Sequence, residues 1–522
     1  MSLKRRRSIK NLKSLAVILL IVFSVPIILT ASAPVEKDPS LIAQVVEELK
    51  SQVPGWFKER DIPGMAVAVV DDEKILWQQV LGHTSRSKES PLNPDTIFSI
   101  QSMSKSFTAL GVLMAVQDGL LDLDEPITTY LPDFTVNSPY EEHPEKKMTL
   151  RLLLAHRAGF THEAPVGSNF DCRPHTFEEH VLSISDSWLR YPVGYRYSYS
   201  NLGIDLAGYI LQEKAGMPFW EYIKIKVLEP LGMTSSTLNF EEIKKRTNRA
   251  IGHVSPKSKV PGGIPVDIPM IPAGAVYTNI LDMAKYLRFH INKGRVNGKQ
   301  ILRKELIEEM HSVQFPEMKQ KAGYCLCLAK SLVSDTYFLQ HGGGGYGFIT
   351  SMTMYPELKI GVVTLTNSEE SRVSSGRIQQ VINPLIEEKF GPAQVFPQEF
   401  DETPYTPVNH EDARVKKIIG LYGTNFKIGY KDEDFGIFLG RDFYPLEMFL
   451  GEEGLVGKFG KFSELRFKPS LNGRPGTIVT FHRKLGTKGL RLLGSFSEKK
   501  ATSRVLLPSD FTLETKVDSL LS

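Results

Sequence analysis

The chain reads as an α+β protein with a C-terminal all-β, barrel-like domain. Three observations predict this. Short apolar runs with strand character lie at both ends of residues 40–392, and the middle of that stretch carries helical periodicity. Strands at both ends of a helical middle imply a sheet assembled from the two termini, with an α-rich region beside it. A proline-rich linker, residues 393–410, then gives way to short, turn-punctuated runs over residues 411–522, the pattern of a small all-β domain.

The first elements follow from spacing. Residues 40–60 present Leu41, Val45, Leu49, Val53 and Trp56 on one helical stripe. Ile62-Pro63-Gly64 turns the chain into an apolar strand from Met65 to Val70. Asp71-Asp72-Glu73-Lys74 then turns it into a second strand, Ile75 to Val80, to make a hairpin. After Asp95-Thr96, apolar residues recur at Met103, Phe107, Leu110 and Met114, which predicts an amphipathic helix. Asp118-Gly119 ends it, because glycine just past the last periodic residue is a C-terminal cap. Residues 120–320 read as mainly helical with many loops. A helix closes at Leu152 to Gly159, another runs from Asn201 to Gly216, and two more cover Met283–Ile291 and Ile301–Met310.

From residue 322 strands return: Tyr324–Ala329, Thr336–Leu339, Gly347–Met354 and Ile360–Thr366. A helix from Ile378 to Phe390 completes this part. Gly391 to Pro407 contains four prolines and few apolar residues, the composition of a linker. Beyond it the strand-like runs are Ile418–Tyr422, Gly436–Phe438, Leu465–Phe467, Thr477–Phe481 and Leu490–Leu493. No catalytic constellation stands among them.

Composition excludes several function classes. The formal net charge is +4, yet Lys4, Arg5, Arg6, Arg7, Lys10 and Lys13 precede residue 34 with no acid beside them. Without these six the balance is slightly acidic, so nothing asks for a nucleic-acid partner. This basic head leads into the apolar run Leu15 to Leu29 and then Ala31-Ser32-Ala33, a small-x-small cleavage pattern. Pro34 would hinder cleavage, and the run extended to Ala33 is just long enough to span a bilayer. Residues 1–33 are therefore expected to be a signal peptide or a membrane anchor through residues 15–33, and the rest of the protein to be extracytoplasmic. The three cysteines, Cys172, Cys325 and Cys327, make no disulfide framework. If Cys325 and Cys327 share a strand they point to one face, a poor geometry for a bridge. No spacing of metal ligands stands out, and no cofactor is expected.

Three short motifs carry chemistry. In Ser102-Met103-Ser104-Lys105 a hydroxyl and an amine share one helical face at the helix's first turn. A desolvated lysine gives up its proton more readily and can then accept one, and the helix N-terminus favours developing negative charge. In Tyr199-Ser200-Asn201 a phenol and an amide come just before a helix, where side chains reach into a cleft. A core tyrosine and an N-cap asparagine are the plainer alternatives. In His341-Gly342-Gly343-Gly344-Gly345-Tyr346-Gly347 the glycines satisfy G-x-G-x-x-G, but a strand follows instead of a helix, so the dinucleotide reading fails. The run is expected between two strands, where glycine lets a substrate backbone approach an edge strand closely. An α/β-hydrolase is excluded because no Gly-x-Ser-x-Gly elbow exists.

Taken together, Ser102-x-x-Lys105, Tyr199-x-Asn201 and His341-x-Gly343 resemble, in order and approximate spacing, the class C β-lactamase and penicillin-recognising serine hydrolase family. The resemblance covers about residues 40–390. It includes the phrases Ile62-Pro-Gly-Met-Ala-Val-Ala68, Leu153-Leu-Ala-His-Arg-Ala-Gly159, Glu229-Pro-Leu-Gly-Met233 and Gly361-Val-Val-Thr-Leu-Thr-Asn367. It implies a β-lactamase-like fold, an antiparallel sheet flanked by helices. It also implies that Ser102 is the acylated nucleophile, with Lys105 and Tyr199 sharing its proton. Asn201 would orient the substrate amide and Lys105. Backbone N–H groups of Ser102 and Gly344 would form the oxyanion hole. His341 stands where lactamases of this family carry lysine, and related D-peptidases carry His-x-Gly there, which shifts the expectation away from an efficient β-lactamase. Gly342 removes a threonine hydroxyl that could hold a substrate carboxylate, and Gln101 replaces the small residue usual before the serine. His156 and Arg157 belong to a phrase that is structural in the family.

The expected activity is hydrolysis through an acyl-enzyme of a peptide or amide with a D-configured residue in the substrate, of the D-peptidase or carboxypeptidase type. A carboxylesterase with the same machinery and a penicillin-binding or scaffold protein with little turnover are the alternatives. The C-terminal region resembles the small β-barrel domains that family members use for oligomer contacts or to cover the cleft, so a homo-oligomer is among the expected partners.

Overall fold

The computed structural model describes residues 36–499 except 61, 88–89, 168–173, 255–267, 316–320, 393–405, 417, 423–425, 440–441, 452–453, 460–461, 470–476 and 486–488. The targeting segment, Cys172 and most of the linker lie outside the described residues. Among the described residues no helix is long and apolar enough to cross a membrane.

A seven-stranded antiparallel sheet organises the first part of the chain. Its strands are β1 (Gly64–Val70), β2 (Ile75–Gly82), β3 (Gly323–Tyr324), β4 (Ala329–Val333), β5 (Thr336–Gly345), β6 (Phe348–Tyr355) and β7 (Ile360–Thr366). They lie in the order β2-β1-β7-β6-β5-β4-β3. The N-terminal hairpin thus joins the C-terminal strands through β1 and β7, with Met65 opposite Thr366 and Val70 opposite Gly361. Every residue of β1 is buried, because both sheet faces are covered. Its side chains alternate: Met65, Val67 and Val69 face one core, while Ala66, Ala68 and Val70 face the other, as the two-residue period of a strand requires.

The first core lies under α1 (Pro39–Glu59) and a C-terminal helix, Ser375–Phe390. Helix α1 starts where Asp38 accepts from the N–H groups of Ser40 and Leu41, with Pro39 at the first helical position. Its buried residues, from Leu41 to Trp56, form the stripe that the sequence predicts. The larger core gathers the helical middle on the opposite face. At its centre is α2 (Ser104–Gln117), whose residues from Ser104 to Ala115 are all buried. The expected amphipathic helix is therefore enclosed on every side. Its C-terminus does end at Asp118-Gly119: Leu120 N–H reaches Ala115 O at 2.9 Å, Gly119 N–H reaches Val116 O at 3.2 Å, and Gly119 adopts φ +75°. This is the closed turn that glycine makes easy.

Two strand expectations are corrected. Tyr324–Ala329 is not one strand: β3 stops at Tyr324 and β4 starts at Ala329. Cys325 to Leu328 form a buried turn closed by Cys325 N–H to Leu328 O at 2.7 Å, with Cys327 at φ +56°. The two cysteines therefore do not share a strand face, and both are free thiols. The glycine run is not a loop either. Gly342–Gly345 continue β5, in register with Phe348–Ser351 of β6. The turn is Tyr346-Gly347 alone, with φ +50° and +85°, the two positive values of a type I′ hairpin.

Among the described residues, ten strands between Thr406 and Lys499 form an antiparallel sheet, the first of them, Thr406–Pro407, falling within the expected linker. The last, Gly489–Lys499, returns to pair with Gly420–Tyr422, and the strand order stays open at its two ends. Val415, Ile428, Ile437 and Met448 belong to its apolar core.

Candidate active site

Ser102 lies in a single 3-10 turn, Gln101–Met103, that runs directly into α2. It thus stands two residues before the α-helix and not within its first turn. Several backbone links fix this turn. Ile100 N–H donates to Val276 O at 3.0 Å, and Val276 N–H donates to Ser104 Oγ at 3.0 Å. Ile100 O accepts from Thr350 Oγ1 at 3.0 Å. Gln101 is buried at φ +50°, and its amide donates to Ser99 Oγ at 2.7 Å. A non-glycine residue at this positive φ stores local strain.

Lys105 is fully buried one turn later. Its Nζ donates to Ser102 Oγ at 3.0 Å and to Ala273 O at 2.9 Å. A buried amine needs such partners, since burying it unpaired costs several kcal/mol, on the order of the penalty for an uncompensated polar group. The Tyr199 ring covers it, with Nζ 5.0 Å from the ring centroid.

Tyr199 and Asn201 flank Ser200, which caps α3 (Asn201–Ala215) by accepting from Gly203 N–H. Asn201 is therefore the first helical residue and not the cap. Its Nδ2 donates to Glu163 Oε1 at 2.9 Å and approaches Met270 Sδ at 3.7 Å, while its Oδ1 is buried without a partner. Asn201 thus makes no hydrogen bond to Lys105, and Oδ1 is left as an acceptor for an incoming N–H.

His341 sits on β5, buried. Nδ1 donates to Gly342 O at 2.7 Å, and Nε2 lies 3.4 Å from Tyr324 Oη. Its ring is 6.5 Å from that of Tyr199. Burial first, then the charge of Lys105, lowers its pKa to about 4, so the imidazole is neutral at ordinary pH. Gly343 is required by crowding: a Cβ there would stand 2.1 Å from Ile100 O. Gly344, one residue on, is exposed. The glycine strand can therefore lie flat against the nucleophile turn.

The structure thus brings Ser102, Lys105, Tyr199, Asn201, His341, Gly343 and Gly344 to one place. It also adds His156, which the sequence reading leaves out as structural, and His162, which it does not name. The His156 ring is tilted against that of Tyr199 with centroids 4.4 Å apart, and its Nδ1 accepts from Ser200 N–H at 3.2 Å. Its Nε2 is buried without a partner, and burial and Lys105 hold its pKa well below the usual value. His162 stacks on Tyr199 from another side at 5.5 Å, and its Nδ1 lies 2.6 Å from Glu163 Oε1. Position within Leu153–Gly159 was the signal for His156; nothing in the local sequence marks Glu163 or Ala273. Among the described residues no group of His, Cys, Asp and Glu could hold a metal ion. What the arrangement does is hold a serine hydroxyl within hydrogen-bond reach of a buried amine beneath a phenol ring, the grouping that an activated nucleophile needs.

Comparisons with known proteins fit this geometry. The chain is 26% identical over 303 residues to Beta-lactamase-like protein 2 of Dictyostelium discoideum, covering 55% of this chain and 54% of that protein. It is 28% identical over 353 residues to Unguisins hydrolase ungD' of Aspergillus campestris, covering 65% and 64%. The matches thus span less than two thirds of these relatives' own length. Among solved structures, SurE superposes with a TM-score of 0.61 at 18% identity, covering 88% of this chain and 99% of that one. The octameric penicillin-binding protein homologue from Pyrococcus abyssi gives 0.54 at 24% identity, covering 87% and 100%. At these identities the likeness is one of fold. The Beta-lactamase family model matches residues 40–382, a span that includes the serine turn, the Tyr199 loop and the glycine strand, and the chain belongs to the Beta-lactamase family.

Proposed function

We propose that the protein is a serine hydrolase that cleaves amide or peptide bonds through an acyl-enzyme. One observation carries the reading: the buried Lys105 Nζ lies 3.0 Å from Ser102 Oγ beneath the Tyr199 ring. Lys105 and Tyr199 take the hydroxyl proton as Oγ attacks the carbonyl carbon. The resulting oxyanion meets the N–H groups of Ser102 and Gly344. Collapse breaks the C–N bond, the proton passes to the leaving amine, and water later hydrolyses the ester and restores the Ser102 hydroxyl.

Substrate class follows from the rim. The neutral His341 supplies no positive charge, and Gly342 supplies no hydroxyl, so the site is poorly suited to gripping a free carboxylate. That favours amide or peptide cleavage over carboxypeptidase and β-lactamase action. The hydrolase name of one relative supports hydrolysis, and the similar fold of SurE, solved with D-Leu, supports a substrate containing a D-residue. Residues 1–33 would deliver the enzyme outside the cytoplasm or hold it at a membrane, and the β domain would serve oligomer contacts.

The test is labelling with a fluorophosphonate and a fluorescent penicillin, followed by turnover of D- and L-amino-acid anilides and short-chain esters. Wild type should take the fluorophosphonate, Ser102→Ala should not, and D-amino-acid anilides should be turned over. Lys105→Ala and Tyr199→Phe should each slow acylation by roughly 100-fold or more, the scale of general-base catalysis. Lasting penicillin label without turnover would favour a binding protein, and ester turnover alone a carboxylesterase. Absence of label on wild type would defeat the hydrolase reading.

A further inference from the structure

We propose that Asp205, paired with His180, is a positioning residue for Lys105: it fixes the segment whose carbonyl aims the amine at Ser102. The inference rests on the serine-hydrolase reading. Asp205 lies on α3 one turn after Asn201 and is fully buried. Its Oδ1 accepts from Ala273 N–H at 2.9 Å, and Ala273 O accepts from Lys105 Nζ at 2.9 Å. One residue thus carries both links. Ala273 belongs to α4 (Ile271–Gly274), a single turn too short to be stable by itself. The walls around it hold it. Thr108 Oγ1 on α2 donates to Pro272 O at 2.7 Å, and Gly208 on α3 leaves so little room that a Cβ would stand 2.3 Å from Pro272 Cγ.

His180 settles the charge. Its Nδ1 lies 2.7 Å from Val166 O, and its Nε2 lies 3.1 Å from Asp205 Oδ2. A carbonyl only accepts, so Nδ1 carries a hydrogen. The Nε2–Oδ2 contact needs one more, whether it rests on imidazole or carboxyl. The pair is therefore neutral as a whole. A bare carboxylate at this depth would be costly. His180 supplies its partner while Asp205 keeps its grip on Ala273. Glu163 faces His180, and Lys105 faces Asp205. Around Lys105 itself stand Tyr199, His156, His341 and Cys327.

Two substitutions separate this role from mere packing. Asp205→Asn keeps an acceptor for Ala273 and offers its amide to a neutral His180 Nε2, so the network stays closed. Asp205→Ala opens it. Fluorophosphonate inactivation is resolved into kinact and KI over a range of pH. Asp205→Asn should keep kinact within about threefold of wild type, with its pH limb unmoved, as retained geometry requires. Asp205→Ala should lower kinact by roughly 100-fold, the cost of a misplacement near 1 Å, with KI unchanged and the pH limb displaced. Hydrogen exchange in the peptide spanning Ala273 should quicken in Asp205→Ala only. Wild-type kinact in Asp205→Ala, or an Asp205→Asn as impaired as Asp205→Ala, overturns the proposal. If Asp205→Ala does not fold, Asp205→Asn decides: a loss beyond about tenfold in the folded protein is incompatible with retained geometry. If wild type takes no label, the hydrolase reading falls separately. Unchanged exchange at Ala273 in Asp205→Ala would then overturn the link by itself.

Discussion

Replacing Gly343 by alanine should disable the enzyme without touching a reacting group. A Cβ at this position would stand 2.1 Å from Ile100 O and 2.5 Å from Thr350 Oγ1, whereas real Cβ atoms essentially never come within 3.0 Å. The obstacle is backbone, not the tip of a flexible side chain. Ile100 O must retreat by about 0.9 Å or more, although Thr350 Oγ1 and Met103 N–H both bind it. Ile100 lies two residues before Ser102, so the displacement passes directly into the nucleophile turn. A shift near 1 Å in a reacting group costs roughly 100-fold in rate, and overpacking costs about 1–3 kcal/mol in stability. Gly342→Ala is the internal control, because its Cβ would meet only Thr350 O at 3.6 Å. The assay is the second-order rate of fluorophosphonate labelling, with thermal melting alongside. Gly343→Ala labelled within about threefold of Gly342→Ala, where geometry demands a gap near 100-fold, would refute the reasoning.

Three further outcomes are expected. Burial is the largest cause that lowers the pKa values of His156, His290, His311 and His341, to about 3 for His290 and about 4 for His341. The unfolded chain binds these protons near pH 6.5, so between there and about pH 4 it holds more protons than the folded chain, and stability falls as pH falls. For His341 alone the loss across that window is about 3 kcal/mol; His180, whose pKa is raised, adds none. A melting temperature that stays flat from pH 7 to pH 5 would contradict this. In a Cys172→Ser background, Cys325 and Cys327 should resist a thiol reagent until the protein is denatured, since both are buried and burial raises the Cys325 thiol to about 12; rapid native labelling would count against it. Gly216 caps α3 at φ +64° with nothing near its missing Cβ, so Gly216→Ala should cost about 1 kcal/mol through backbone strain alone, and asparagine less. Equal melting of all three proteins would show that the cap carries no strain.

The sheet and its helices were legible because their signals are local. Alternation in Met65–Val70 and the stripe of Leu41, Val45 and Leu49 each read from a few neighbouring residues. The α2 boundary read from one glycine. Its full enclosure did not, because what surrounds a helix is set by other segments, not by its own period. The Cys325–Leu328 turn read as strand for the same reason: apolar residues bury equally well in either, and only Cys327's positive φ distinguishes them. The glycine run read as loop because glycine weakens a strand, yet crowding by Ile100 O demands it there. At the site, Ser102, Lys105, Tyr199, Asn201 and His341 carry distinctive side chains at family spacing. Ala273 contributes only a carbonyl, which any residue type could supply. Asp205 and His180 meet by tertiary folding alone.

The pairing of β1 with β7 has a consequence for biogenesis. During synthesis the most apolar strand in the sheet emerges early, but its partner follows about three hundred residues later, and such distant closures slow folding. Until then the hairpin shows a bare hydrogen-bonding edge, an invitation to misassociation. A chain truncated before Thr366 would keep that edge unpaired and is expected to aggregate.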